Sequence, residues 1–122
     1  MSFSARGLRR EVLNSPMSFT LHDLEKRVAE RAGASAEVSY TRKLLDRGTA
    51  QCAKKFGEEA VETVLAAVAE DRERLIGETA DLLYHLLVVL RSRDVKLAEV
   101  EEALAQRTKR SGLEEKASRK GD

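Results

Sequence analysis

An all-α fold is the prediction for this 122-residue chain, on three observations. Helix breakers are scarce, with Gly occurring 7 times and Pro once, near the start. Ala, Leu, Glu, Lys and Arg, all strong helix formers, fill the stretches between them. Apolar residues recur at three- and four-residue spacing, and no segment alternates for long enough to make a useful strand. The length suits one domain. With 4% aromatic residues and no Trp, its core must be built from Leu, Val, Ile and Ala.

The first helix opens at Thr20, with Asp23 three residues on, where a capping-box partner sits. Leu21, Leu24 and Val28 form its apolar stripe, and it ends near Gly33. Ser35 opens a second, short helix with Val38, Leu44 and Leu45 on its apolar side and Gly48 as its stop. A third helix runs from about Thr49 to Asp71 with a stripe of Phe56, Ala60, Val64 and Val68. Gly57 lies inside it at a cost of ~1 kcal/mol relative to Ala, which suggests close approach of something to the backbone. A fourth helix covers about Arg74 to Arg91. Its second half, Leu82–Leu90, is apolar on almost every side, so it is central or buried against a partner chain. A fifth helix, about Leu97 to Lys109, turns Val100 and Leu104 inward.

These four to five helices make a domain over residues 20–110. Residues 1–19 read as a disordered leader, or as an overlong start with Met17 as the true beginning. Residues 111–122 form a basic tail that could close over a substrate. A domain this small, with a helix apolar all round, gains from burial against a second copy, and a homodimer is expected.

A formal net charge of +1 gives no case for nucleic-acid binding. Its distribution is uneven: residues 32–106 carry 14 acidic and 10 basic side chains, residues 107–122 carry 3 and 6. An acidic body with a basic tail suits a site where cations and phosphates meet. Cys52 is the only cysteine, so no intrachain disulfide is possible and a cytoplasmic setting is expected. No apolar run reaches the ~18 residues that a bilayer requires, so no membrane partner is expected.

The chemistry lies in carboxylates. Glu59 and Glu62 stand at i, i+3 on the third helix, with Glu58 beside them and four residues before Glu62. Glu78 and Asp81 repeat the i, i+3 spacing on the fourth. Like charges at these spacings repel by roughly 0.2–0.5 kcal/mol per pair. Fifteen residues separate Glu62 from Glu78, enough to end one helix, turn and start an antiparallel partner. The hairpin can then bring both pairs to one end. Converging carboxylates stay ionised only if a cation holds them, and hard oxygen ligands select Mg²⁺, Ca²⁺ or Mn²⁺ over zinc. Metal-assisted phosphate chemistry is the reading this supports. A di-iron centre needs Glu-x-x-His, which neither helix has.

The EE-x-x-E of Glu58, Glu59 and Glu62, followed by the E-x-x-D of Glu78 and Asp81, resembles the signature of the all-α nucleoside triphosphate pyrophosphatase superfamily (MazG-like). The segments SYTRKLLDRG (39–48), KKFGEEAVETV (54–64), GETADLLYHLLVVL (77–90) and RSGLEEKASRK (110–120) narrow the resemblance to the phosphoribosyl-ATP pyrophosphohydrolase family of histidine biosynthesis. It covers about Leu21 to Lys120. It implies Mg²⁺-dependent cleavage of the α–β phosphoanhydride of phosphoribosyl-ATP to phosphoribosyl-AMP and pyrophosphate. By position it makes Glu59, Glu62, Glu78 and Asp81 the metal ligands, and Glu58 a further ligand or an orienter of the attacking water. It also implies a homodimer of interleaved helices, and the pathway would allow a link to a separate phosphoribosyl-AMP cyclohydrolase. The chain departs from the family at Gln51, where a basic residue is usual, and at Phe56, where a smaller aliphatic one is.

Pyrophosphate is a strongly anionic leaving group, so basic groups must lie opposite the metal. Lys55 is the first candidate, and Arg110, Ser111 and Lys116 in the tail could close over the substrate. Ser39 and Tyr40, near the opening of the second helix, could contact ribose or phosphate, or serve only as a cap and a packed ring, and Arg42 and Lys43 are similarly placed. Glu58 or Glu62 could accept the proton of the attacking water. His85 and Cys52 read as core residues. Two other functions fit the same sequence: a house-cleaning pyrophosphatase of noncanonical nucleotides, and a non-enzymatic helical dimerisation module.

Overall fold

Five helices make up residues 18–109, the part of the chain that the computed structural model describes. They are α1 (Leu21–Ala32), α2 (Tyr40–Asp46), α3 (Thr49–Ala69), α4 (Arg72–Ser92) and α5 (Leu97–Thr108), and no strand occurs among the described residues. The fold is all-α. The expected leader falls outside the described residues except for Ser18 and Phe19, and the expected tail falls wholly outside.

Local chemistry sets most boundaries. The Thr20 hydroxyl accepts from Asp23 N at 3.1 Å and the Asp23 carboxylate accepts from Thr20 N at 2.9 Å, closing the capping box of α1. Gly48, at φ 94°, takes the left-handed turn between α2 and α3. Only Glu70 and Asp71 separate α3 from α4, and the Asp71 carboxylate caps α4 by accepting from Arg74 N at 2.9 Å. That cap starts α4 at Arg72, two residues before the expected Arg74, and makes α3 and α4 a tight antiparallel hairpin.

The second helix is shorter than expected. Ser35 does not start it; its carbonyl instead accepts from Val38 N and Ser39 N in a turn. Ser39 is the cap: its buried hydroxyl accepts from Arg42 N at 3.1 Å and donates to Arg31 O at 2.8 Å, the latter at the end of α1. A serine that satisfies one helix start and a neighbouring helix end outcompetes one that satisfies neither. Val38 therefore stands in the turn, 78% exposed, and takes no part in the core.

The core gathers Leu24 and Val28 of α1, Leu44 of α2, Cys52 of α3, Leu87 and Val88 of α4, and Leu97 of α5. Helix α4 packs against α1, α2 and α3, which explains its apolar second half. Helix α5 is held mainly at its start, where Leu97 N donates to the Glu25 carboxylate at 2.7 Å, and by His22 with Glu101 at 3.0 Å. Leu104, expected to face inward, is 55% exposed, and all the described residues from Glu101 onward are exposed with it.

The stripe on α3 is also turned from its expected place. The face against α4 carries Cys52, Glu59, Thr63 and Ala66, with Phe56 and Ala60 partly buried at its edge. Val64 and Val68 look outward, and with Val61 and Leu65 they form an exposed apolar row. Gly57 shows no close approach by another part of the described residues, none of which lies within 4 Å of where a Cβ would stand.

Candidate metal centre

The hairpin brings Glu59 of α3 together with Glu78 and Asp81 of α4. One carboxylate oxygen from each lies within 4.8 Å of the other two. The i, i+3 spacing places Glu78 and Asp81 on one face of α4, and the short turn sets the register that aligns Glu59 with them. Thr63 secures that register: its hydroxyl lies 2.8 Å from Glu59 O and 3.2 Å from Glu78 O, bridging the backbones of the two helices.

The electrostatics of the trio ask for a cation. Burial, followed by the charges of Glu62, Asp81 and Glu78, pushes the Glu59 acid above its ordinary value, and Lys55 only partly opposes them. Glu78 is buried and receives Arg74 Nη2 at 3.1 Å, while Arg74 Nε bonds Glu70 at 3.1 Å. Three convergent carboxylate oxygens with no nitrogen or sulfur ligand in the group are a donor set for a hard divalent cation.

The remaining sequence-derived candidates fall around this centre to different degrees. Glu62 is exposed and stands outside the trio, though its charge is felt at Glu59. Glu58 is half exposed and bonds Lys55 Nζ at 3.2 Å, and that bond, with Tyr40 and the nearby carboxylates, raises the Lys55 ammonium. Tyr40 is 49% exposed, its ring 6.5 Å from Tyr84 and 6.2 Å from His85. Arg42 donates to Asp46 at 2.8 Å and to Ala32 O at 3.0 Å, tying α2 to the end of α1. Arg110, Ser111 and Lys116 lie outside the described residues.

His85 is one turn beyond Asp81 and is buried, as a core residue should be, yet its Nδ1 has no hydrogen-bond partner among the described residues. Burial, then Lys55, lowers its pKa, and its ring meets Tyr84 edge-on at 4.9 Å. Sequence reasoning missed Arg74 and Thr63. Arg74 had a legible signal, the i, i+4 spacing from Glu70 and to Glu78. Thr63 had none, because its second contact depends on the pairing of the two helices.

Sequence comparison with known proteins identifies the family. Residues 21–108 match the profile of the family described as phosphoribosyl-ATP pyrophosphohydrolase. Phosphoribosyl-ATP pyrophosphatase 1 of Rhodopseudomonas palustris is 68% identical over 104 residues, 85% of this chain and 97% of the relative. Its namesake in Bradyrhizobium diazoefficiens is 67% identical over 84% of this chain and 96% of the relative. The phosphoribosyl-ATP pyrophosphatase of Paracoccus denitrificans is 55% identical over 88% of this chain and its own full length. The match runs from the start of α1 to the end of α5 and takes in the whole hairpin that carries the trio. The chain belongs to the phosphoribosyl-ATP pyrophosphohydrolase family.

Proposed function

We propose that the trio is the Mg²⁺ site of a hydrolase that cleaves the α–β phosphoanhydride of phosphoribosyl-ATP, yielding phosphoribosyl-AMP and pyrophosphate. The observation that carries this is the convergence of Glu59, Glu78 and Asp81 from two helices in a chain of this family. Glu62, one turn along α3 with its side chain in solvent, is the fourth ligand of the reading.

When bound, Mg²⁺ would neutralise phosphate oxygens and acidify or orient a water. The protein itself supplies position and charge, the main requirement for phosphoryl chemistry. Lys55, steered by Glu58, offers an ammonium to the departing pyrophosphate. Glu58 and Glu62, both exposed beside the trio, are the carboxylates able to take the proton of the attacking water. Tyr40 presents a half-exposed ring beside Lys55 as a surface for ribose or base. Arg42, already bonded twice, has fewer donors left for a substrate. Arg110, Ser111 and Lys116 of the tail complete the reading as cations and donors that close over the phosphates.

The reading includes a homodimer. Val61, Val64, Leu65 and Val68 support it, since four neighbouring aliphatic side chains on a surface helix favour burial by a partner. It also includes a cytoplasmic setting and a functional link to a phosphoribosyl-AMP cyclohydrolase that consumes the product. No helix among the described residues is long and apolar enough to cross a membrane.

Pyrophosphate release from phosphoribosyl-ATP, compared with a panel of plain nucleoside and deoxynucleoside triphosphates, tests the substrate. Preference for a deoxynucleotide would move the chain to house-cleaning chemistry. Full activity in a Glu59→Gln, Glu78→Gln double variant would sink the metal assignment.

A further inference from the structure

A cavity of about 250 Å³ opens beside Tyr84 and involves none of the proposed metal ligands. Leu24 and Val28 of α1 supply its apolar part, and Thr41 and Tyr84 its hydroxyls. Arg27, Arg31 and the ring of Phe19 complete the lining. Tyr84, in the lining, packs its ring on His85, which stands one turn past Asp81 on α4. Along α4 it lies three residues beyond Asp81 and six beyond Glu78, about 5 and 9 Å at the rise of a helix.

The polar groups here have donors to spare. Arg31 makes no side-chain ion pair among the described residues, and its charge reaches the Tyr84 phenol. Arg27 stands over the Phe19 ring at 5.7 Å, and its Nε is 3.6 Å from Glu30, too long for a hydrogen bond. Thr41 and Tyr84 share one hydrogen bond between two hydroxyls, so one O–H proton of the pair remains for a ligand. Two guanidinium forks and a spare hydroxyl beside apolar and aromatic walls suit a phosphate monoester carried on a sugar.

Phosphoribosyl-ATP differs from a plain nucleoside triphosphate in one respect that matters here: it is anionic at both ends. We infer that this cavity binds the phosphate monoester on the second ribose of phosphoribosyl-ATP, with Arg31 and Arg27 as specificity-determining residues. The inference rests on the proposed activity, in which the trio handles the triphosphate end. The nucleoside between the two ends spans the separation along α4. Discrimination against ordinary ATP then comes from arginines with no part in the metal site.

The test uses the full chain with Mg²⁺, and compares wild type with Arg31→Gln and Arg27→Gln. It measures pyrophosphate release from phosphoribosyl-ATP, inhibition of that reaction by ATP, and inhibition by ribose 5-phosphate. Loss of a charge-assisted bond to phosphate is expected to raise KM for phosphoribosyl-ATP about ten- to hundredfold in Arg31→Gln. The kcat and the inhibition constant for ATP should stay close to wild type, while inhibition by ribose 5-phosphate weakens with KM. Unchanged KM in both variants would overturn the inference. So would a parallel rise in KM and in the ATP inhibition constant, which marks a general loss of charge or of fold. A wild type inert toward phosphoribosyl-ATP would defeat the proposed activity and this inference with it, whereas an active wild type with indifferent variants would defeat the inference alone.

Discussion

Replacing Glu59 with Gln is expected to stabilise the metal-free protein and to remove its response to Mg²⁺. One carboxylate oxygen each of Glu59, Glu78 and Asp81 lies within 4.8 Å of the other two, so Glu59 takes part in two like-charge pairs. At that separation each repels by about 0.9 kcal/mol in water-like dielectric, and more where solvent is thinner. Arg74 offsets part of the Glu78 charge, which leaves a relief of about 1–2 kcal/mol on neutralising Glu59. That corresponds to a rise in Tm of roughly 4 °C or more at low ionic strength. In wild type, Mg²⁺ at 100 times its Kd would add about 2.7 kcal/mol, and the variant should gain little. The order of the two melting temperatures therefore reverses between EDTA and Mg²⁺. The pH dependence has a definite sign. The folded-state pKa of Glu59 is raised, so its proton favours the folded state, and that contribution fades as pH rises through the raised value. The Gln variant should lack this decline. Thermal melts at fixed protein concentration, with and without Mg²⁺ across a pH series, make the measurement. A variant less stable than wild type in EDTA, or equally stabilised by Mg²⁺, would refute the reasoning.

Thr63→Val keeps the shape but removes the hydroxyl that bridges α3 and α4, and should cost about 1 kcal/mol in urea unfolding while weakening Mg²⁺ affinity by loosening the register. Ser39→Ala removes a cap and the bond to Arg31 O, and about 1–2 kcal/mol of stability should go with them in the same assay. Burial depresses the pKa of His85, so the folded state resists its protonation; stability is expected to fall below about pH 6.5 by up to ~1.4 kcal/mol per pH unit, until the folded-state pKa is passed. His85→Phe should flatten that limb of the pH–stability profile. Val64→Glu with Val68→Glu places two charges in the exposed apolar row, and sedimentation equilibrium should show the proposed dimer of the wild type replaced by monomer in the variant.

Much of the local structure was legible in the residues. The Thr20–Asp23 box, the Gly48 turn and the paired E-x-x-D spacing each depend on groups within four positions of one another, and short-range geometry decides them. Ser39 shows where that legibility stops. Ser35 and Ser39 are equally good caps by type, but only Ser39 lies where the Arg31 carbonyl of a different helix awaits its hydroxyl. Val64 and Val68 show the same limit for burial. Their spacing correctly marks an apolar face of α3, yet the face that packs on α4 is the one bearing Cys52, Glu59, Thr63 and Ala66.

The sequence by itself determined that the chain is helical, roughly where most of its breaks fall, and which carboxylates can share a helix face, because these follow from the period of the helix and from nearest neighbours. Tertiary structure alone decided the rotation of α3 against α4, and with it everything that spans the two. That rotation sets Glu59 against Glu78 and Asp81, leaves Glu62 toward solvent, and gives Thr63 its second carbonyl. It also turns an apolar row outward. A helix carries the same periodic signal whichever way it is turned, so only packing against its neighbours can choose the side that becomes a site.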